Sequence, residues 1–155
     1  MLKDTLVKEV DLFLLKPIMA AKHQVLLMSH LMEALKDQQT GPEARLNLML
    51  ALQRGDIQPW IGVTGPEGAR RIAGVVFTMF AKDHLLDMPK LVIYGLHMNE
   101  QLAPEAMGKC INSIYDYAKK RGCREIEAIT AVHGIAKLLE SHGWKNGQSI
   151  LRKGL

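Results

Sequence analysis

Apolar residues in the first third of the chain recur at two intervals. Within Leu2 to Phe13, residues Leu6, Val7, Val10, Leu12 and Phe13 are spaced for a first strand, which turns near Pro17. From Ile18 the steps lengthen to three and four. Ile18, Ala21, Val25, Met28, Met32 and Leu35 make one stripe, which predicts an amphipathic helix to about Asp37, and Gln38 to Gly41 reads as a loop. Thr40 and Glu43 have the T-x-x-E spacing of a capping box, Pro42 suits a first turn, and Leu46, Met49 and Leu50 supply an apolar face. Gly55 then ends this second helix.

The period shortens again after Gly55. Trp60, Ile61 and Val63 run into the turn-forming Thr64-Gly65-Pro66-Glu67-Gly68, and the apolar run Ile72 to Phe80 follows, the pattern of a β-hairpin. Leu91, Val92, Ile93, Tyr94 and Leu96, between Pro89 and Asn99, are rich in β-branched and aromatic residues and predict a strand central in the sheet. Met107, Cys110, Ile111, Ile114, Tyr117 and Ala118 share one stripe of a helix stopped by Gly122. Glu125 to Ala131 predicts a short strand, and a helix joining it to the previous strand requires parallel pairing. A short helix with Ile135, Leu138 and Leu139, stopped by Gly143, precedes a last strand over about Gln148 to Arg152. The order is β, α, α, β, β, β, α, β, α, β, an α/β fold.

Composition narrows this further. A chain of 155 residues, 48% hydrophobic and 23% charged, is sized for one domain over residues 1–155 and has no bias towards disorder. The apolar stretches Leu12 to Met19 and Val25 to Leu35 are broken by Lys16 and His30 and separated by Lys22 and His23, short of a membrane span. The charged N-terminus does not match a signal peptide, so the expected location is the cytoplasm or a particle assembled there. Cys110 and Cys123 lie along one predicted helix, too far apart for a bridge, and no Cys or His spacing suggests a metal site. The basic group Lys119, Lys120, Arg121 and Arg124 reads first as a solvated helix C-terminus and second as an anion site; nucleic acid is not expected as a partner. The nine methionines read chiefly as core filler, and a Met-rich partner surface is the lesser reading.

The element order, with the stretches Met98 to Cys123 and Ile135 to Trp144, resembles the GNAT acyltransferase superfamily. The resemblance implies a mixed central sheet of about six to seven strands flanked by about four helices. It also implies a splayed strand followed by a loop of pattern Q/R-x-x-G-x-G/A, whose amides and helix N-terminus hold the pyrophosphate of coenzyme A. Gly108 and Lys109 stand at the end of that pattern, Ala106 at its middle glycine and Ala103 at Q/R, with Gln101 two residues earlier. Pro104 and Glu105 intrude where amides should be offered. The cofactor-binding residues so implied for acetyl-CoA are Met98, Asn99, Ala106, Met107, Gly108 and Lys109; for Gly108 the alternative is a helix glycine packed on a neighbouring strand. Ile135-Ala136-Lys137-Leu138-Leu139-Glu140-Ser141-His142-Gly143-Trp144 resembles the family's A-x-x-L-Y-E-K-L-G-F, with Leu138, Glu140, Gly143 and Trp144 in register. Leu139 stands where the family's tyrosine protonates the departing thiolate, and Val132 where it has an asparagine.

Acyl transfer to an amine also needs a proton acceptor. His97 and Glu100 are the catalytic candidates by position, ahead of His133 and His142 at helix ends; Tyr94, Tyr115 and Tyr117 could replace the missing acid. Two readings follow. One is an N-acyltransferase moving an acetyl group from acetyl-CoA to an amine on a small molecule or protein. The other is a GNAT-fold structural or interaction protein without catalysis, with protein partners or copies of itself; the short chain with degenerate motifs also resembles small GNAT-like virion proteins of tailed bacteriophages. Both require a notch where two parallel strands splay before the helix that begins near Pro104.

Overall fold

A computed structural model describes residues 6–35, 41–83, 85–128 and 133–145. Its strands are β1 (Asp11–Leu14), β2 (Gln58–Thr64), β3 (Arg71–Asp83), β4 (Met88–Met98) and β5 (Glu125–Ala128). Its helices are α1 (Pro17–Lys22), α2 (Gln24–Ala34), α3 (Pro42–Arg54), α4 (Pro104–Lys120) and α5 (His133–Ser141). The strands form one mixed sheet in the order β1-β2-β3-β4-β5, in which β4 and β5 are parallel and the other pairs antiparallel. The α4 crossover dictates that parallel pair, as the sequence implies. The final strand expected over 148–152 lies outside the described residues.

The helix expected from Ile18 to Asp37 is two helices, with His23 outside helical geometry between them. The buried row is also different: Ala20, Leu27, Leu31 and Leu35 are interior, whereas Ile18 and Val25 are exposed at 68% and 88%. Residues 18–28 are apolar on more than one face, so periodicity alone picks a row arbitrarily, and the break at His23 then changes the phase. The next expected helix is α3, which begins at Pro42 with Gly41 as N-cap and no side-chain cap, so Glu43 contributes first-turn charge and no reciprocal box; Thr40 lies outside the described residues. Gly55 and Gly122 adopt left-handed φ of 80° and 78° after their helices, the terminators expected there.

The sheet buries both faces. Leu27, Leu31, Leu35 and Leu52 pack with Ile57, Ile61, Val75 and Phe77 on the α1–α3 side. On the α4 side Ile114 and Ala118 pack with Trp60 and Leu91, while Ala106 and Cys110 meet Val7, Val10 and Ala73. Trp60 Nε1–H donates to Thr78 Oγ1 at 3.0 Å, which satisfies the indole inside the core. No described helix is long and apolar enough to cross a membrane.

Candidate functional site

The site is set by an irregularity in β4. Opposite β3, Ile93 pairs with Thr78 and Gly95 with Phe77, which leaves Tyr94 as an extra residue. Such a bulge bends its strand and shifts the alternation of side chains. Before it, Leu91 and Ile93 face the α4 side. After it, Gly95 faces α2, where a Cβ would stand 3.3 Å from the Ala34 methyl group, and His97 faces the same way.

On its other edge β4 pairs with β5 only from Lys90↔Glu125 to Ile93↔Ala128. Residues 94–98 therefore continue past the last described rung with no strand partner on that side among the described residues. The expected splay of the two parallel strands would fall at residues 129–131, which lie outside the described residues.

The expected catalytic residues follow that edge. His97 is half-buried, and its Nδ1 lies 2.8 Å from Nδ1 of His30 on α2, with ring centroids 5.0 Å apart. Burial and then the neighbouring His97 lower the pKa of His30 below its ordinary value, so His30 resists carrying charge. Glu100 takes both Arg71 nitrogens, Nε at 2.7 Å and Nη2 at 2.8 Å, and this bidentate hydrogen bond holds the carboxyl below its usual range. Among the described residues Nε2 of His97 has no hydrogen-bond partner, whereas Glu100 is committed to Arg71.

The sequence passes over His30 because it assigns a different row of α2 to the interior. Three residues past Leu27 and beside Leu31, His30 belongs to the row that is buried. A histidine on that row is the signal that would have found it.

The expected cofactor loop can be tested amide by amide. The N-terminal segment lies against it: Val7 N–H donates to Gln101 O at 2.9 Å and Ala103 N–H to Val7 O at 2.7 Å. Pro104 has no N–H, Ala106 is 0% exposed, Met107 N–H turns back to Ala103 O at 3.0 Å, and Gly108 is buried within α4. Glu105 is left, exposed and in the first turn, with its carboxylate beside its amide. Ala103, Pro104, Ala106 and Met107 therefore offer no accessible amide to a pyrophosphate, and Glu105 brings negative charge to that helix end.

The other expected cofactor residues are dispersed. Met98 packs on Gly74, and Asn99 is tied down by N–H to Ala73 O at 2.8 Å and by Nδ2–H to Ile72 O at 3.1 Å. Lys109 points away, beside a shallow depression of 260 Å³ that Asp11, Phe13 and Ser113 also line. Gly108 faces His142, the residue after α5, and not a strand: a Cβ there would stand 3.2 Å from its Cε1. Leu139 is 9% exposed and inert in the acid's position.

The tyrosines offered as replacement acids are occupied elsewhere. Tyr94 packs against the α2-side core, Tyr117 sits edge-on to Trp60, and Tyr115 lies under Lys119. His133 opens α5, and Val132 lies outside the described residues. Among the described residues no group of three or more His, Cys, Asp or Glu side chains could hold a metal ion.

No family model and no curated protein matches the sequence. Solved structures do match its fold. A predicted acetyltransferase with acetyl-CoA from Clostridium acetobutylicum superposes with a TM-score of 0.67 at 14% identity, covering 94% of this chain and 96% of its own. A GNAT family acetyltransferase from Staphylococcus aureus subsp. aureus gives 0.61 at 12% identity, covering 95% and 99%. An aminoglycoside acetyltransferase from an uncultured soil metagenomic sample, in complex with sisomicin, gives 0.64 at 11% identity, covering 94% and 95%. The chain has the fold of the GNAT acetyltransferases, as its motifs imply.

Proposed function

We propose that this chain is an N-acyltransferase that moves an acetyl group from acetyl-CoA to an amine, holding the cofactor's extended arm along β4 beyond the bulge. The observation that carries this reading is the bulge at Tyr94, which turns His97 at the end of β4 towards His30 on α2, within a fold shared with solved acetyltransferases. Acetyl-CoA, when bound, supplies an acyl thioester activated towards an amine. The chain's own contribution is the proton: His97 accepts it at Nε2 from the attacking amine, a role that general bases commonly fill for a ~10² to 10⁴-fold gain. Glu100 is the poorer acceptor because Arg71 stabilises its ionised form. The acceptor class is an amine on a small molecule or a protein; an aminoglycoside bound to a structural neighbour is consistent with that class.

With Leu139 in place of an acid, thiolate departure relies on solvent, so turnover is expected to be slow. The paired amides of Ala103 and Met107 favour a second reading, a GNAT-fold interaction protein without catalysis, because they are lost to a phosphate. Calorimetric titration with acetyl-CoA separates the two. Binding in the micromolar range, with turnover of a panel of amines abolished by His97→Ala, supports the enzyme. No heat at millimolar cofactor overturns it and leaves the interaction protein.

A further inference from the structure

We infer that His30 is the positioning residue of this site, accepting a hydrogen bond from Nδ1–H of His97 and so keeping the lone pair of His97 on Nε2. The inference rests on the proposed acyltransferase reading for its purpose, but its geometry stands independently. A contact of 2.8 Å between two Nδ1 atoms holds one proton, because each neutral imidazole carries a single N–H and a bond needs one donor and one acceptor.

The direction follows from what each ring can carry. His30 is 7% exposed, packed among Leu27 and Leu31, and a charge there would be desolvated. His97 is only half-buried, so water reaches its ring more readily than that of His30. A doubly protonated His97 has donors only, and the contact then survives only if His30 accepts. Loss of the Nε2 proton restores the neutral ring with this bond unbroken, leaving Nε2 free to take up a proton from an amine. In the opposite arrangement His30 would donate, His97 would carry its proton on Nε2, and the exposed nitrogen could accept nothing.

The placement also explains a polar side chain on an apolar helix row. The bulge at Tyr94 turns His97 towards α2, and Gly95, whose Cβ would crowd Ala34 at 3.3 Å, lets α2 approach closely enough for His30 to reach it. A wider separation of α2 from β4 would break the contact.

The experiment is long-range ¹⁵N–¹H correlation spectroscopy of the histidine rings in the full chain at about pH 7.5, in the wild type, His30→Asn and His30→Leu. The expected wild-type pattern is a protonated Nδ1 and an unprotonated Nε2 on His97. His30→Asn, whose side-chain oxygen can accept in place of Nδ1, should keep it, and His30→Leu should lose it, with at least a tenfold fall in kcat and little change in KM. A wild-type His97 carrying its proton on Nε2, or a pattern indifferent to His30→Leu, overturns the inference. If His30→Leu fails to fold, the wild-type and His30→Asn spectra still decide. An intact tautomer in a chain that turns over no amine would sink the acyltransferase reading while leaving the His30 contact in place.

Discussion

Glu105→Lys should tighten coenzyme A binding while weakening the fold, and the opposed signs make the experiment informative. Glu105 lies in the first turn of α4, exposed, where its negative charge complements the helix dipole. The same charge faces any phosphate approaching that helix end. A unit charge at an exposed helix terminus is worth ~0.3 to 1 kcal/mol, and Glu to Lys changes two units, ~0.6 to 2 kcal/mol. For the anion this corresponds to a Kd lower by about 3- to 30-fold. For the helix the same exchange is unfavourable by a similar amount, which lowers the melting temperature by roughly 1 to 8 °C for a domain of this size. Calorimetric titration at low and high salt, paired with thermal denaturation, reads both. A lower melting temperature with unchanged affinity would show that the phosphates do not lie at this helix end. A gain in affinity that survives high salt would refute the electrostatic argument, since exposed charges are screened within about 10 Å at 0.1 M.

Leu139→Tyr restores the family's acid by identity but introduces a phenol at a position 9% exposed; we expect ~1 to 3 kcal/mol of destabilisation in urea unfolding and at most a partial gain in turnover, and a full-rate enzyme would contradict this. Thr78→Val keeps the shape but strands Trp60 Nε1–H, whose acceptor lies at 3.0 Å in a residue 0% exposed, and should cost ~1 to 3 kcal/mol; a variant as stable as the parent would refute the need for that bond. His30 gives stability a pH dependence of defined sign. Its folded pKa is lowered below 6.5, so the unfolded chain binds the proton more tightly; its contribution is complete above about pH 6.5 and disappears as pH falls through the folded value. The urea midpoint should therefore drop more steeply from about pH 7.5 to about pH 5 in the parent than in His30→Asn, and equal slopes would contradict the assignment.

The elements most legible in the sequence are those whose burial is one-sided. In α4, Cys110, Ile111, Ile114 and Ala118 are separated by polar residues, so the stripe has a single solution, and the structure buries all four. In α2 the apolar residues surround the helix, several rows satisfy the same period, and the phase is chosen by contacts with Phe77 and Leu52 that no local window contains. The capping box fails for a related reason: T-x-x-E spacing states what a cap could be, whereas the position of the first turn is fixed where Pro42 meets Gly41. The loss of loop amides was partly visible in Pro104. The other half, Val7 bonded across the loop, joins residues nearly a hundred positions apart and leaves no local trace.

His97 illustrates the deepest limit and its physical cause. With strict alternation from Leu91 and Ile93, every odd residue of β4 would face α4, and His97 could not meet a helix on the opposite side. The extra residue at Tyr94 reverses the parity, so Gly95 and His97 turn to α2 while Tyr94 itself joins the same core. One inserted residue thus aims the imidazole at α2. The choice of Tyr94 as the extra residue depends on the register with β3, where Phe77 and Thr78 are adjacent but their partners, Gly95 and Ile93, are not. Sequence alone offers the bulge no address, and the chemistry of His97 therefore depends on a strand-pairing decision made on the neighbouring strand.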